Sequence, residues 1–244
     1  MNDVIIVIGA SGGIGRELVK QLSEKHTDTP VYALSRKSQS ADVASNVICV
    51  NMRTDDEKAI DDFCRRLDEN NEKVRTAIST VGILHGEVDG HNIEPEKRLE
   101  DIYNDQLLRY FHVNSVVPTL WLKHLVDRMS DNTSQIVCFS ARVGSISDNQ
   151  LGGWYGYRAS KAALNMLLKT AAVEYGRRAK STTLLSYHPG TVDTRLSEPF
   201  QRNVKPEKLF SPAFTVSQLL SVLPDLSAEQ SPYFLDWDHK VVTW

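Results

Sequence analysis

Short apolar runs alternate with longer segments of helical period through almost the whole chain. The runs are Val4–Ile8, Val31–Leu34, Val47–Val50, Thr76–Ser79, Gln135–Phe139, Thr183–Tyr187 and Tyr233–Asp236. Their near-continuous apolar character is what strands buried on both faces show. Between them, Gly15–Glu24, Asp56–Glu69, Leu107–Met129 and Tyr157–Arg178 repeat apolar residues three and four positions apart, the spacing of one helix face. This alternation predicts one α/β domain over residues 1–244, a doubly wound parallel sheet of about seven strands covered by helices on both faces. No repeat, low-complexity tract or shift in composition marks a second domain. Two segments leave the pattern: Leu84–Pro95, rich in Gly, His and acidic residues, and Glu198–Phe214, with three prolines. Both follow strands, on the edge where such sheets bind ligands, so both are expected to be substrate-facing loops.

The 244 residues are enough for one large domain with a well-buried core, and 41% hydrophobic with 24% charged residues is ordinary for a soluble protein. A net charge of -3 argues against nucleic acid as an obligate partner, since phosphate binding needs a basic surface. Cys49, Cys64 and Cys138 are odd in number and lack metal-like spacing, which reads as reduced thiols in a cytoplasmic protein, with no metal site. Val4–Ile8 is too short for a signal-peptide core or a membrane span and reads as a buried strand.

The first strand runs into Gly9-Ala10-Ser11-Gly12-Gly13-Ile14-Gly15, and a helical pattern follows at once. Glycines permit a tight turn and a close approach by a pyrophosphate, while the helix N-terminus offers amide donors and its positive dipole end. A plain strand-to-helix connection is the alternative. The spacing is G-x-x-x-G-x-G, not the commoner G-x-G-x-x-G. About 20 residues beyond such a turn a carboxylate would hold the ribose 2′-hydroxyl of NAD. Here the chain reads Ser35-Arg36-Lys37, with two cations and no acid. Arg36 can grip a 2′-phosphate bidentately, so NADP(H) is favoured and NAD(H) is the weaker expectation. A solvated basic loop is the bland reading of the same residues.

Tyr157 and Lys161 stand four apart in a helical segment, hence on one face. A phenol has a pKa of about 10 and is expected to serve as proton donor or acceptor near neutrality only if a nearby cation or a desolvated site lowers that value. Most Tyr-x-x-x-Lys pairs are ordinary helix surface; downstream of a nucleotide-binding turn, this one proposes hydride chemistry.

With Gly9, Gly13, Gly15, Tyr157 and Lys161 together, the sequence resembles the short-chain dehydrogenase/reductase family along nearly its whole length. Val143–Thr170 and His188–Thr194 resemble its C-factor or carbonyl-reductase-like branch. The resemblance implies a Rossmann fold, with Gly9, Ser11, Gly13, Ile14 and Gly15 on the cofactor pyrophosphate. Tyr157 would be the acid/base, and Lys161 would lower its pKa while bonding the nicotinamide ribose. Asn114 matches the family asparagine that holds a water for proton relay; without the family, a buried Asn in an apolar helix is more often a packing residue. Asn51 and Met52 fall where the family usually shows Asp-Val or Asp-Leu beside the adenine. Thr80-Val81-Gly82 replaces Asn-Ala-Gly in the segment lining the cofactor. Pro189, Gly190, Val192 and Thr194 match the segment that closes over the nicotinamide. Many relatives associate into homo-oligomers through the long helices that would hold Leu107–Met129 and Tyr157–Arg178.

One departure concerns the substrate-orienting serine, usually the second residue of Ser-Ser-x-x-Gly. Here Ser140-Ala141-Arg142-Val143-Gly144 puts Ala141 at that position, leaving Ser140 as the expected donor and Ser145 as a substitute. Near the C-terminus His239 stands where the branch has glycine, and Trp244 reads as a packing or subunit-contact residue. His85, Trp154, Phe200 and Phe210 suggest a partly apolar substrate pocket without a charged anchor. The resulting expectation is an NADP(H)-dependent oxidoreductase interconverting a carbonyl and an alcohol. A C-factor-like signalling protein with weak or secondary catalysis is the alternative, and a sugar epimerase or dehydratase ranks lowest.

Overall fold

The computed structural model describes residues 2–37, 43–88 and 90–244; Asp89, inside the expected loop 84–95, lies outside the described residues. Seven strands form one parallel sheet: β1 (Asn2–Ile8), β2 (Val31–Ser35), β3 (Val47–Asn51), β4 (Glu72–Ser79), β7 (Ser134–Phe139), β8 (Thr182–His188) and β11 (Tyr233–Asp236). Their order is β3-β2-β1-β4-β7-β8-β11, so the chain reverses its direction of travel across the sheet between β1 and β4. That reversal opens a crevice at the carboxyl ends of these two strands, where doubly wound folds bind nucleotides. All seven strands lie where the apolar runs predict them, one to four residues longer at their ends for six of the seven.

Side chains of β1 explain why a continuous apolar run is required. Val4, Ile6 and Ile8 enter the core on one face of the sheet, whereas Ile5 and Val7 enter the core on the other. The first face is covered by α2 (Glu57–Glu69), α4 (Val117–Leu125) and α5 (Tyr155–Arg178), through Phe63, Trp121, Leu164 and their neighbours. The second is covered by α1 (Gly13–Lys25) and α6 (Pro212–Val222), through Leu18, Leu22, Val216 and Leu219. Each such side chain contributes about 1.5–3 kcal/mol on burial, so a charged residue at Ile5 or Ile6 would cost several times that of a surface change.

Three departures from the expected elements have local causes. Residues 107–129 are not one regular helix: α3 (Asn104–Phe111) passes through a π-helical turn at His112–Val116 into α4, with Pro118 in its first turn. Residues 84–95 contain an antiparallel pair, β5 (Gly86–Val88) with β6 (His91–Ile93). The segment 198–214 is bounded rather than open: β9 (Thr191–Val192) pairs with β10 (Leu209–Phe210) across its base. Pro212 belongs to α6, whose N-cap Ser211 accepts the Phe214 N–H at 3.1 Å, a proline-after-serine helix start.

Candidate active site

The glycine turn joins β1 to α1 at the crevice. Gly9 has φ +87°, and a Cβ there would meet Thr80 Oγ1 at 2.7 Å; Thr80 Oγ1 itself donates to the Ile8 carbonyl at 3.1 Å. Gly15 packs so closely on the Gly9 carbonyl that no side chain fits. The N-cap residue Gly12 supplies no side-chain acceptor, and the first turn of α1 carries no acid. No acid in the first turn competes for the helix amides and dipole, so Gly9, Ser11, Gly13, Ile14 and Gly15 could hold a dinucleotide pyrophosphate. Thr194 reaches this turn from the far side of the crevice: a Cβ on Gly13 would meet its Cγ2 at 2.9 Å.

At the outer end, Arg36 follows β2 with its side chain 64% exposed, and its Nη1 stands 3.8 Å from Asp55 Oδ2. Asp55 is paired more closely by Arg53, Nε to Oδ1 at 3.2 Å. Arg53 and Asp55 were not singled out in the sequence, because they lie beyond the Asn51-Met52 position that the family pattern marks. Asn51 ends β3 and is exposed; Met52 is half-buried and donates its N–H to the Ser35 carbonyl at 2.9 Å, which ties the β3 end to the base of Arg36. Val81 and Gly82 follow β4. Gly82 brings the chain against two of the expected site residues, since a Cβ there would lie 3.4 Å from both Asn114 Oδ1 and Lys161 Nζ.

Asn114 sits in the π turn between α3 and α4, and π turns recur where a helix must present a functional side chain. Its Oδ1 accepts the Ile83 N–H at 2.8 Å, and its Nδ2 donates to the Ile83 carbonyl and to Ser160 Oγ, both at 3.0 Å. Asn114 thus clamps the chain just beyond Gly82 onto α5. On α5, Lys161 is 3% exposed and donates to the Phe139 carbonyl at 2.8 Å. Burial pushes its ammonium down to about 8, with the Cys138 thiol opposing the shift. Tyr157, one turn earlier, is 7% exposed, and burial pushes its phenol above the ordinary value. The phenol is thus protonated at neutral pH, and Lys161, anchored on Phe139 with its Nζ 5.8 Å from the Tyr157 ring centroid, does not bring it below the ordinary value.

Rings surround the phenol. Tyr110 and Trp154 meet Tyr157 edge-on at centroid distances of 6.3 and 6.1 Å, and Phe200 meets Trp154 at 5.0 Å. His85 meets Phe200 at 5.5 Å, and its Nε2 lies 3.0 Å from the Arg195 carbonyl. His85, Trp154 and Phe200 thus come together as expected. Phe210 does not join them: it stacks on Trp237 at 4.4 Å, because its partner strand β9 carries it over Gly190. Gly190 needs its φ of +74° and its missing Cβ, which would sit 2.6 Å from the Phe210 ring. Pro189 accepts a hydrogen bond from Thr215 Oγ1 at 3.3 Å, and the Asp193 N–H donates to the Phe210 carbonyl at 2.8 Å, so the segment from 189 to 194 is tied near both ends; within it Thr194 Oγ1 donates to the Val192 carbonyl at 3.3 Å.

Ala141 packs in the same apolar cluster as Tyr157, whereas Ser140 donates to Asn165 Oδ1 at 2.7 Å, one turn beyond Lys161. Ser145 is tied elsewhere: its hydroxyl lies 3.3 Å from Thr243 Oγ1 and accepts the Asp148 N–H at 3.2 Å. His239 adopts φ +59°, the conformation that favours a glycine at this turn, and Trp244 packs on Phe234 at 5.4 Å. The three cysteines are free thiols. Among the described residues no group of His, Cys, Asp or Glu could hold a metal ion, and no helix is long and apolar enough to cross a membrane.

The chain belongs to the short-chain dehydrogenase family, whose model matches residues 3–205. The protein is accordingly an oxidoreductase of a class that works with nicotinamide cofactors. It is 25% identical over 98% of its length to 1-hydroxy-2-glutathionyl-2-methyl-3-butene dehydrogenase of Rhodococcus sp. strain AD45, covering 99% of that protein. It is 24% identical over 91% of its length to the (S)-benzoin-forming benzil reductase of Bacillus subtilis, covering 93% of it. Its fold matches NADPH-bound carbonyl reductase from chicken fatty liver with a TM-score of 0.81 and 22% identity, over 100% of this chain and 96% of that one.

Proposed function

We propose that this oxidoreductase is an NADP(H)-dependent carbonyl reductase, interconverting a carbonyl and an alcohol with Tyr157 as the proton donor and acceptor. One observation carries the reading. A buried phenol and a buried ammonium, one turn apart on α5, stand beneath an aromatic wall, with the ammonium against Gly82 in the segment whose Thr80 packs on Gly9 of the cradle. The cradle holds the pyrophosphate, Arg36 the 2′-phosphate, Asn51 and Met52 the adenine end. Val81, Gly82, Pro189, Gly190, Val192 and Thr194 line the remainder, and Lys161 bonds the nicotinamide ribose.

When bound, the nicotinamide supplies hydride to the carbonyl carbon. Tyr157 gives its O–H proton to the carbonyl oxygen, and in the reverse direction its phenolate takes the alcohol proton. The phenol is protonated near neutrality, which is the form that reduction consumes, and burial only deepens this. The Lys161 ammonium then stabilises the phenolate that remains, in surroundings where charge is poorly screened. An ammonium has three donors and Phe139 takes one, which leaves N–H groups for a ribose hydroxyl. Asn114 keeps the chain beyond Gly82 and α5 at a fixed separation and would hold a water beside Lys161, through which the proton that Tyr157 gives up is replaced from solvent. Ser140, just past β7, is the hydroxyl proposed to orient the substrate; it donates to Asn165, while Ala141 lies in the apolar cluster that contains Tyr157.

The rings of Trp154, Phe200 and Tyr110 favour a neutral ketone bearing an aromatic group, and the likeness to a benzil reductase supports that choice. The test is a panel of aldehydes, aryl ketones and vicinal diketones assayed with NADPH and with NADH. Turnover of aryl ketones with NADPH is expected. Inactivity across the whole panel with both cofactors would overturn the proposal.

A further inference from the structure

We infer that Glu96 is a positioning residue for Tyr157, fixing the first turn of α5 and with it the phenol and the Trp154 wall. The inference rests on the carbonyl reductase reading above. Glu96 lies in the loop after β6 and is 1% exposed. Its Oε2 accepts the Gly156 N–H at 3.0 Å, its Oε1 accepts Gln106 Nε2 at 2.7 Å, and its backbone carbonyl accepts the Trp154 N–H at 2.5 Å. A carboxylate is costly to bury unless charge and hydrogen bonds compensate it. Here the compensation is the amide end and positive dipole of a 24-residue helix, joined by an amide from α3.

The chain entering α5 could not take its course unaided. Gly152, Gly153 and Trp154 have φ of +65°, +66° and +54°, three left-handed residues in succession. For two glycines that is easy; for a tryptophan it is unfavourable, and such a conformation persists only where surrounding bonds impose it. Glu96 holds the Trp154 amide from one side. From the other, Arg158 donates to the Gly153 carbonyl at 2.9 Å and to the Gly152 carbonyl at 3.2 Å. Gly156 completes the fit, since a Cβ there would collide with the Tyr110 ring and lie 2.9 Å from Glu96 Oε1.

Tyr157 is the next residue. Its distance from Lys161 is therefore set from two anchors: Glu96 at the start of the helix, and the Phe139 carbonyl that holds the lysine one turn on. Slackening the first anchor moves the phenol against a lysine that stays in place. Misplacement by about 1 Å can cost on the order of 100-fold in rate. The cofactor cradle lies on other elements and is untouched by such a shift.

The experiment measures kcat, KM and the NADPH dissociation constant for the parent, Glu96→Ala and Glu96→Gln, on an aryl ketone that the parent reduces. Glu96→Ala is expected to lower kcat by about 10- to 100-fold with NADPH affinity within roughly threefold of the parent. Glu96→Gln keeps an acceptor for the Gly156 amide and should restore most of kcat. Full kcat in Glu96→Ala overturns the inference. So do equal losses of kcat and NADPH affinity, or a glutamine variant no better than alanine, because those are the marks of a merely structural cap. Should Glu96→Ala fail to fold, Glu96→Asp, one methylene short of Gly156, is read the same way: lowered kcat with retained NADPH affinity supports, unchanged kcat overturns. Tyr157→Phe separates the two levels. If it keeps most of its turnover, Tyr157 is not the proton donor and this inference falls with that role; if it is inactive while Glu96→Ala keeps full kcat, only the inference falls.

Discussion

Lys161 and Tyr157 are buried together but anchored apart: the ammonium donates to the Phe139 carbonyl at 2.8 Å and stands 5.8 Å from the centroid of the Tyr157 ring. The two side chains therefore serve different partners, and their removal should be felt differently. Tyr157→Phe should abolish turnover and leave NADPH affinity nearly intact, since only a proton donor disappears. Lys161→Ala should harm both turnover and cofactor affinity, because it serves the phenolate and the ribose. Steady-state kinetics with calorimetric titration of NADPH separates these effects. A Tyr157→Phe enzyme keeping most of its rate would show that the proton comes from elsewhere.

Arg36 is exposed and only loosely paired with Asp55 at 3.8 Å, so it is available to a 2′-phosphate. Arg36→Asp should weaken NADPH binding by about 10- to 100-fold, the range of one charge-assisted hydrogen bond. NADH affinity should change little. Equal losses for both cofactors would remove Arg36 from the 2′-phosphate site and leave the neighbouring Arg53 to be tested.

The sheet was legible in the sequence because each strand is buried on both faces, and Val4–Ile8 can only be continuous and apolar if both covers exist. Gly9 to Gly15 and Tyr157 with Lys161 were legible because local spacing alone places them on a turn and on one helix face. What escaped was set by contacts distant in sequence. The π turn at Asn114 follows from its bonds to Ile83 and Ser160, which no local pattern encodes. Glu96 reads as one more acid in a polar loop until the fold brings α5 over it, 60 residues later. The helix at Pro212–Val222 had a readable start in Ser211-Pro212, but the prolines before it made the whole segment look irregular. Trp154 could be proposed as a pocket wall from its residue type; its left-handed conformation could not.

His188 ends β8 opposite Asp236 on β11, and its Nδ1 is buried without a hydrogen-bond partner among the described residues. Burial pushes its imidazole down to about 4 from 6.5, the Arg142 guanidinium adds to the shift, and Asp236 opposes it. The folded protein thus binds fewer protons than the unfolded chain between those two values, so stability is complete above about pH 6.5 and declines as pH falls toward 4. The decline attributable to this one group is at most about 3 kcal/mol. Denaturant melts of the parent and of His188→Gln between pH 4 and 7.5 test this. The variant should show a shallower fall over that range, and parallel curves would assign the acid sensitivity to other groups.

The final prediction concerns the hydroxyl at the end of β7. Ser140 spends its proton on Asn165, 2.7 Å away, and Ala141 presents a methyl group in the cluster that contains Tyr157. Ser140→Ala strands a buried acceptor and should cost about 1–3 kcal/mol of stability. Its effect on kcat should stay below the 100- to 1000-fold, about 2.7–4 kcal/mol, that follows loss of a donor to the reacting oxygen. Ser145→Ala should be nearly silent in turnover, because its hydroxyl serves Thr243 and Asp148. Ala141→Ser adds a hydroxyl to the cluster that contains Tyr157 and should raise kcat on a ketone while leaving NADPH affinity unchanged. If Ser140→Ala instead loses kcat by the full factor at unchanged stability, then Ser140 turns from Asn165 toward the substrate and is itself the orienting donor. An Ala141→Ser enzyme no faster than the parent would mean that the phenol and the bound cofactor already hold the carbonyl where the chemistry needs it.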